Sequence, residues 1–555
     1  MYNLLIGGAA GQGIETTAVI LQKFLKNQGY HVLAIRDFMS RVRGGHNFTF
    51  LRFGKEPLYS HSNQLDGIIA FNEETIQLHN NELSEQGFIL GDSQFVTADS
   101  RTIAVEMAVI GKELGNPRVT GSVAVGVVLK LFGIELKDTH KVLKEFIKEQ
   151  YIDINEKALL KGYELVESRF LKEKTEPWDS IMLTGNQALS FGALAAGLKF
   201  YSAYPMSPST TILEYLAGKS DETGIVVEQA EDEIAAINMA IGASFAGVPS
   251  MTGTSGGGFS LMVEALGLSG MAEIPLVVVD VQRPGPVTGL PTRTEQSDLK
   301  FVISASQGEF PRMVIALRNH TDAFYQTARA FALAEKYQIP VIVLSDQYLG
   351  DSYATVEAYD LAKVTRVDPL ETADSKEGEY LRYRFTPDGI SPRLIPGKTR
   401  NYVSADSDEH DERGFITEDA EIRNRMMDKR MGKLEQLKLE LVEPEFFGAA
   451  NFDTLLVGWG TTYGPILEAV QILNHENGGK YAALIFGDIF PLPQKLLREK
   501  ALQAEKIINI EQNATGQLAD LIREQTGITC NVSILKYDGR QISGEEIVQK
   551  LKGGN

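Results

Sequence analysis

The 555-residue sequence contains a single cysteine, Cys530. One cysteine cannot form a disulfide within the chain, so we expect a reducing compartment and a cytoplasmic protein. One thiolate is also too few to hold an iron–sulfur cluster or a thiolate zinc site. Any such centre would have to lie on another chain.

Basic residues and long hydrophobic runs are both scarce. The 54 Lys and Arg residues face 73 Asp and Glu residues, which gives a formal net charge of −19. Because phosphate binding needs clustered basic residues, we expect no nucleic-acid partner. The same acidic excess disfavours docking of an acidic protein over most of this surface.

The most apolar stretch, residues 233–251, is interrupted by Asn238 and Ser244. It is shorter than the ~20 residues that span a bilayer. The opening residues 1–13 lack the basic region of a signal peptide. We therefore expect neither membrane insertion nor secretion.

The first of three regions opens as a strand at residues 3–6, a glycine-rich turn at 7–13, a helix, and a strand at 31–34. This order predicts a βαβ start. The turn departs from the G-x-G-x-x-G fingerprint, so it is either a tight turn without a ligand or a nucleotide-binding loop. Farther on, Arg41 and Arg43 stand beside paired glycines, and they would contact either a phosphate or carboxylate or another subunit.

The second and third regions repeat the α/β pattern. Residues 233–245 predict a helix with Ile234, Ile237, Ile241 and Phe245 on one apolar face. Continuous apolar runs at 274–279 and 340–344 predict strands covered on both faces, and a third α/β unit begins at Asp453. Between them, residues 350–445 are polar and include a helix around 423–441. Their acidic run, which contains His410, favours an ion-paired loop over a metal site.

Two segments of region two place polar groups at helix starts. In YPMSPSTT (204–211), Ser207 or Ser209 would cap the following helix, and the same exposed amides could bind an anion. Of the acids before the apolar helix, Glu233 differs because it lies next to the apolar face, where a carboxyl group can have an altered pKa. The other three acids, Glu228, Glu231 and Asp232, would interact favourably with the positive end of the helix dipole.

Two glycine-rich segments complete the pattern. TGTSGGG (252–258) has three consecutive glycines, which suit neither helix nor strand and imply close approach of another group, so we expect a ligand loop. RPGPVTGLPTR (283–293) directly follows a buried strand, where doubly wound sheets bind ligands. Arg283 there would bind a carboxylate, or else the loop's arginines would brace subunits.

These motifs, in this order, resemble the α-subunit of 2-oxoacid:ferredoxin oxidoreductases, with a γ-subunit-like region fused ahead of it. The motifs DGISPRLIPG, DEHDERGFITEDAE, GWGTTYGP and EQNATGQL are similar to the 2-oxoglutarate type. The resemblance covers nearly the whole chain and implies a multidomain α/β fold. Its implied parts are a γ-type domain (1–172), a linker (173–180), a pyrimidine-side thiamine diphosphate domain (181–370), a polar connecting segment (371–450), and a transketolase-C-like α/β domain (451–555).

The resemblance also implies chemistry shared between chains. This chain would bind the pyrimidine side of thiamine diphosphate, and a separate β-subunit would supply the diphosphate and Mg²⁺ site and a [4Fe–4S] cluster. The products would be an acyl-coenzyme A and reduced ferredoxin, with ferredoxin docking through the β-subunit and two αβ units forming a dimer. The sequence lacks both a Gly-Asp-Gly thiamine diphosphate signature and cluster cysteines.

Residue roles follow from the same resemblance. Glu233 would bond the aminopyrimidine ring and promote the imino form that removes the cofactor's C2 proton. Ser207, where the family more often has threonine, would contact the 2-oxoacid carboxylate together with Arg283 and Thr292. Further cofactor contacts would come from Thr254, Ser255 and Gly256. The γ-like region would help bind coenzyme A or close over the site.

Three other functions stay open from the sequence. The same reaction could act on pyruvate or another 2-oxoacid, since these substrates share the carboxylate that Arg283 would bind. The chain could instead be a non-catalytic regulatory or assembly subunit that binds a nucleotide in region one. A non-oxidative thiamine-dependent decarboxylase would need no iron–sulfur partner.

Overall fold

The computed structural model describes residues 1–39, 45–96, 99–170, 172–367 and 379–553. These residues form the α/β fold that the sequence predicts, with three sheets flanked by helices. They divide into two compact units. The first comprises Met1–Leu183, Asp351–Ala358 and Ser543–Glu545, and the second comprises Thr184–Gly350, Tyr359–Ile542 and Glu546–Asn555.

The first unit is built on an eight-stranded sheet with the strand order β6-β5-β4-β1-β3-β2-β14-β7. Its strands are β1 (Tyr2–Ala9), β2 (His31–Asp37), β3 (His46–Gly54), β4 (Leu65–Ala70), β5 (Leu83–Asp92), β6 (Thr102–Val105), β7 (Ser180–Thr184) and β14 (Tyr353–Glu357). The helices before β7 are α1 (Ile14–Asn27), α2 (Glu73–His79), α3 (Met107–Glu113), α4 (Thr120–Leu131), α5 (Thr139–Lys144) and α6 (Ile152–Glu164). The apolar faces of α1, α3, α4, α5 and α6 form one core with the sheet, and Ile76 of α2 packs in a second, smaller cluster with residues of β1, β4 and β5.

The predicted strand–turn–helix–strand order is present, but its two strands are not neighbours in the sheet. β1 and β2 run in the same direction, but β3 lies between them and is antiparallel to both. The glycine turn between β1 and α1 is closed by Gln12, whose Oε1 accepts from the Ala9 N–H at 2.7 Å and whose Nε2 donates to the Phe71 carbonyl at 3.0 Å. Gly11 and Gly13 in this turn have φ of 92° and 79°, a conformation that favours glycine.

A seven-stranded sheet in the second unit has the order β18-β12-β13-β11-β10-β8-β9, and all of its strands except β18 are parallel. The strands are β8 (Phe200–Ala203), β9 (Val226–Gln229), β10 (Ser250–Thr254), β11 (Leu276–Gln282), β12 (Met313–Ala316), β13 (Pro340–Asp346) and β18 (Asp488–Phe490). β11 and β13 are buried along their whole length, as their continuous apolar runs predict.

The second unit also contains a five-stranded sheet with the order β15-β17-β16-β19-β20. Its strands are β15 (Glu445–Gly448), β16 (Thr454–Trp459), β17 (Tyr481–Phe486), β19 (Lys506–Glu511) and β20 (Val532–Leu535). The helices from β7 onward are α7 (Gly185–Ala196), α8 (Thr210–Gly218), α9 (Ser220–Thr223), α10 (Glu233–Phe245), α11 (Gly256–Met271), α12 (Leu299–Ser304), α13 (His320–Tyr337), α14 (Gln347–Asp351), α15 (Ala420–Leu437), α16 (Tyr463–Asn477), α17 (Lys495–Ala501), α18 (Gln517–Thr526) and α19 (Gly544–Leu551).

Buried charges anchor helix α15 of the polar connecting segment within the second unit. The Glu273 carboxylate accepts from Lys429 and Lys433 of α15, and all three side chains are almost fully buried. Although burial alone would raise the pKa of Glu273, the two lysines hold it below its ordinary value. In the acidic run, Glu409 pairs with Arg430 at 2.8 Å, so this stretch is the ion-paired loop that the sequence favours.

The sequence predicts five parts of the chain, whereas the structure divides into two compact units. Residues 172–179 contain no helix or strand and precede β7. Residues 368–370 and 371–378 of the pyrimidine-type domain and the connecting segment lie outside the described residues, as do Arg41 and Arg43. The division of residues 181–555 into three parts stays a prediction. No helix in the described part of the chain is both long and apolar enough to cross a membrane.

Candidate active site

The predicted site residues of the second unit follow the carboxyl ends of neighbouring parallel strands. Ser207 follows β8, Glu233 follows β9, Thr254 ends β10, and Arg283 directly follows β11. In a parallel sheet these ends lie at one edge, where open α/β sheets bind ligands. The strand order therefore brings to one edge residues that are up to 76 positions apart in sequence.

Glu233 is the first residue of α10, and its side chain is buried. The preceding Asp232 caps the helix by accepting from the Ala235 N–H at 2.7 Å, so Glu233 is not needed for capping. Its Oε1 atom is inaccessible to solvent and has no hydrogen-bond partner among the described residues. Buried polar atoms are almost always paired in native proteins, so this oxygen points to a ligand that completes the site.

The three glycines of TGTSGGG begin a helix instead of forming the predicted ligand loop, because α11 starts at Gly256. The predicted close approach is confirmed. A Cβ on Gly258 would stand 2.5 Å from Glu233 Oε1 and overlap Thr254 Oγ1. Glycine at this position thus leaves room for two buried polar side chains beside the first turn of α11.

Thr254 and Ser255 are both fully buried beside this turn. Thr254 Oγ1 donates to the Ser255 carbonyl over 3.4 Å. Ser255 occupies the N-cap position of α11, but its hydroxyl does not cap the helix and has no partner among the described residues. Like Glu233, this hydroxyl is a buried polar group free to contact a ligand.

Arg283 and Ser207 meet at this edge of the sheet. Arg283 Nη1 donates to the Ser207 carbonyl oxygen at 2.6 Å, and its Nε is buried with no partner among the described residues. Burial lowers the pKa of Arg283, whereas the nearby Asp298 raises it. The Ser207 side chain is exposed, and the guanidinium keeps donors available for an anion.

The segment around Ser207 is held by a neighbour that the sequence analysis missed. Asn186 Nδ2 donates to the Pro208 carbonyl at 3.0 Å and to Thr211 Oγ1 at 2.8 Å. The predicted capping of α8 by a serine hydroxyl is wrong. Ser209 occupies the N-cap position, but its hydroxyl donates to the Met206 carbonyl, and α8 begins at Thr210.

Thr292 is half-buried in the segment between β11 and α12. Among the described residues, no hydrogen bond joins it to Arg283 or Ser207, and its contact with the substrate stays a prediction. Its neighbour Thr294 donates its backbone N–H to the Gly539 carbonyl at 3.2 Å, which ties this segment to the C-terminal part of the second unit.

The sequence analysis also missed two acids at this edge, the fully buried Asp280 and the half-buried Asp298. Asp280 lies within β11, and Asp298 lies just before α12. An aspartate inside the apolar strand LVVVDVQ is the signal that could have identified Asp280, since charged residues are rarely fully buried without a partner.

A groove of about 550 Å³ with a mixed polar and apolar lining lies along α10 and α11. Ile234 and Leu261 line it, and each is 50% exposed. Of the residues predicted to share one apolar face of α10, Ile237 and Ile241 are buried, whereas Ile234 is half exposed. Both helices are apolar on nearly all sides, which is typical of helices covered on every face.

The first unit has a cavity of its own, of about 930 Å³. It lies at the glycine turn between β1 and α1 and is lined by Gly11, Gly13, Thr17, Arg118 and Lys148, among others. A Cβ on either glycine would meet nothing within 4 Å, so the turn faces open space.

Comparisons with known proteins agree with this geometry. A family model described as pyruvate flavodoxin/ferredoxin oxidoreductase, thiamine diphosphate-binding, matches residues 191–429. A second, described as pyruvate ferredoxin/flavodoxin oxidoreductase, matches residues 3–165. The α-subunit of a 2-oxoacid:ferredoxin oxidoreductase from Sulfolobus sp. is 34% identical over 99% of this chain and 96% of its own length. The chain belongs to the 2-oxoacid:ferredoxin oxidoreductase α-subunit family.

Two further relatives support this membership. The 2-oxoglutarate synthase subunit KorA of Methanothermobacter marburgensis is 31% identical over 68% of this chain and 99% of its own length. A solved 2-oxoglutarate:ferredoxin oxidoreductase from Magnetococcus marinus, with 2-oxoglutarate, coenzyme A and succinyl-CoA bound, has a TM-score of 0.93 and 32% identity over 99% of both chains. The family resemblance drawn from the motifs is thus confirmed, together with its α/β multidomain fold.

Proposed function

We propose that this chain is the α-subunit of an enzyme that oxidises 2-oxoglutarate with coenzyme A to succinyl-CoA and CO₂. The two electrons released would pass singly to two ferredoxins through a partner β-subunit. The named activities of the relatives and the ligands of the Magnetococcus marinus structure support this proposal. The observation that carries it is the buried Glu233 carboxyl group with an unpartnered oxygen beside the glycines of α11.

Glu233 fits the pyrimidine side of thiamine diphosphate. Its unpartnered Oε1 would hydrogen-bond the ring, while Thr254, Ser255 and Gly256 would line the ring's surroundings. Burial keeps water away from this carboxyl group, so its interaction with the ring would be stronger than in solvent. When bound, thiamine diphosphate supplies the electron sink for decarboxylation of the 2-oxoacid.

Arg283 is the group that we assign to the substrate's carboxylate. Its guanidinium is buried, and one nitrogen is already held by the Ser207 carbonyl. A guanidinium oriented in this way binds a carboxylate with little loss of side-chain freedom. Ser207 and Thr292 would add hydroxyl contacts, with the Ser207 hydroxyl in the role that threonine more often has in the family.

The remaining half of the thiamine diphosphate site would come from the β-subunit. This chain has one cysteine, so a [4Fe–4S] cluster would lie on that partner, which would also bind Mg²⁺ and the diphosphate. We assign the groove along α10 and α11 to this contact, since Ile234, which follows Glu233 in sequence, and Leu261 are exposed in it. With a net charge of −19 on this chain, ferredoxin would dock on the β-subunit. We further propose a cytoplasmic enzyme assembled as a dimer of αβ units.

The cavity of the first unit is the candidate site for part of coenzyme A. Its volume of about 930 Å³ accommodates a nucleotide-sized ligand. Arg118 and Lys148 in its lining supply positive charge for phosphate groups. The same cavity would be the nucleotide site of a regulatory subunit, the alternative that differs most from an enzyme.

Replacement of Glu233 by Gln in the assembled α–β enzyme tests the proposal. We expect turnover with 2-oxoglutarate, coenzyme A and ferredoxin to fall by roughly 10²–10⁴-fold, because Gln keeps the size of the side chain but loses its proton-exchanging group. Glu231→Gln, an exposed acid two residues away, is the matched control and should retain turnover. Unchanged turnover in E233Q would contradict the role of Glu233, and faster turnover of pyruvate than of 2-oxoglutarate by the unaltered enzyme would contradict the substrate.

A further inference from the structure

Asp280 is a fully buried carboxyl group inside an apolar strand. It lies in β11, between Val279 and Val281, and both of its oxygens are inaccessible to solvent. No N–H or O–H group in the described part of the chain donates to either oxygen. Its hydrogen-bonding neighbour is the side chain of Asp298, a second carboxyl group.

Asp298 is turned toward Asp280 by its surroundings. It occupies the N-cap position of α12, where an aspartate ordinarily accepts from the helix, but its carboxyl group does no capping. Its backbone N–H donates to Gln282 Oε1 at 3.1 Å. A Cβ on Gly256 would overlap the Asp298 carboxyl group and lie 2.8 Å from its Oδ1, so the glycine at the start of α11 leaves space for this carboxyl.

Two carboxylates have no donor between them, so a hydrogen bond between two carboxyl groups needs a proton on one of them. Burial and the adjacent Asp298 raise the pKa of Asp280 well above its ordinary value. Burial raises the pKa of Asp298 to about 6, although the Asp280 hydrogen bond and Arg283 lower it. The proton at neutral pH therefore resides on Asp280, and Asp298 carries the negative charge.

The charged groups that face the pair are Arg283 and Glu295. Arg283 interacts favourably with the Asp298 charge. Burial and Asp298 together raise the pKa of Glu295 to about 7, so this third acid is about half ionised at neutral pH. Asp298 thus shares a hydrogen bond with Asp280, and its charge attracts the guanidinium that follows the same strand.

We propose that Asp280 carries a proton that it donates to Asp298, and that this pair positions the Arg283 guanidinium for the carboxylate of the 2-oxoacid. Asp280 and Asp298 act through Arg283 and are positioning residues. The inference rests on the proposed role of Arg283 and extends it to two residues that lie deeper in the sheet. Without the shared proton, the two adjacent carboxylates repel each other, and Asp298 moves from the position in which its charge attracts Arg283.

The pair gives the enzyme a defined pH response. A carboxyl group whose pKa is raised by folding favours the folded arrangement at low pH, and this contribution is lost as pH rises through the folded pKa. Loss of the Asp280 proton on the alkaline side would therefore release Arg283. We therefore expect the KM for the 2-oxoacid to rise with increasing pH, with a smaller change in kcat.

Replacement of Asp280 by Asn and by Ala in the assembled α–β enzyme tests the pair. Asn donates an N–H to Asp298 and has no proton to lose in this range, so D280N should show a KM that no longer rises toward pH 9. Ala provides no donor, so D280A should raise KM by about tenfold at neutral pH, and Asn should rescue this loss. The KM and kcat of each variant are measured with 2-oxoglutarate from pH 6 to pH 9.

Infrared difference spectroscopy gives a readout that is independent of turnover. The unaltered enzyme minus D280N should show the C=O band of a protonated carboxyl group at neutral pH, shifted in heavy water. A missing band, or a D280N variant with the unaltered pH profile of KM, overturns the proposal. If D280N fails to assemble, D298N replaces it, and the protonated-carboxyl band must then persist because Asp280 donates to the amide oxygen.

The Arg283→Lys variant separates this inference from the proposed function. A raised KM in R283K with an unaltered pH profile in D280N means that the pair is not protonated as proposed while the substrate assignment stands. An unchanged KM in R283K means that the substrate assignment is wrong, even where the carboxyl band is present.

Discussion

Arg283 Nη1 donates a hydrogen bond to the backbone carbonyl of Ser207 at 2.6 Å, across 76 positions of sequence. This bond joins the residue that follows β11 to the segment that follows β8, two strands away in the sheet. The acceptor is a backbone atom, so it is retained whatever side chain occupies position 207. The bond orients the guanidinium toward the same sheet edge at which Glu233 is buried.

We expect Arg283→Lys to weaken binding of the 2-oxoacid. Lysine keeps the charge but lacks the planar set of donors that can hold the Ser207 carbonyl and a carboxylate together. The KM for 2-oxoglutarate should rise by at least tenfold, or about 1.5–3 kcal/mol, the usual value of a hydrogen bond to a charged group. Steady-state kinetics of the α–β enzyme measure this change, with the exposed Arg400→Lys as the matched control. Equal KM values for both variants would show that Arg283 does not bind the 2-oxoacid.

Gly258→Ala tests the close packing beside Glu233. A methyl group there would lie 2.5 Å from Glu233 Oε1, so it must displace the carboxyl group. We expect thiamine diphosphate affinity to fall about tenfold or more, measured by calorimetric titration of the assembled enzyme. Helix propensity alone would favour Ala over Gly by about 1 kcal/mol.

The control for this substitution is Gly432→Ala in α15, where a Cβ would meet nothing within 4 Å. G432A should keep cofactor affinity and raise the free energy of unfolding by up to about 1 kcal/mol. A G258A variant that behaves like G432A would show that the space beside Glu233 is not needed by the cofactor.

Leu261→Asp tests the groove along α10 and α11 as the contact with the β-subunit. Leu261 is 50% exposed, so a charge there should leave the fold of this chain intact while opposing burial in an interface. We expect a large loss of the β-subunit from the purified complex, measured by size-exclusion chromatography with co-expressed chains. Leu502→Asp, at a residue that is 90% exposed, serves as the control. Retention of the partner by L261D would place the interface elsewhere.

The motif EQNATGQL has a structural role that Glu511→Gln would reveal. The buried Glu511 carboxylate accepts from Trp459 Nε1 at 2.9 Å, from Asn509 and Asn513 at 2.8 Å each, and from the Leu518 N–H at the start of α18. Gln would turn one acceptor into a donor that faces other donors. We expect the free energy of unfolding to fall by about 2–4 kcal/mol, measured by chemical denaturation of the chain. The exposed Glu505→Gln should change it by less than about 0.5 kcal/mol.

The sequence alone determined the features that depend on neighbouring residues. The helix over Glu233–Phe245 forms where an Asp cap precedes an apolar run, and both signals are local. The strands β11 and β13 follow from continuous apolar runs. The motifs and their order indicated the family, and the comparisons confirm it.

Tertiary structure decided the features that depend on contacts between distant residues. Nothing local shows that β3 lies between β1 and β2, that half of Ile234 is exposed, or that Asp298 turns away from α12 to meet Asp280. The three glycines favour a loop by propensity, yet they begin α11, because helix packing at this edge of the sheet requires side chains small enough to admit the Asp298 and Glu233 carboxyl groups. Propensity acts over a few residues, whereas the free energy of burial and of paired charges depends on the assembled sheet.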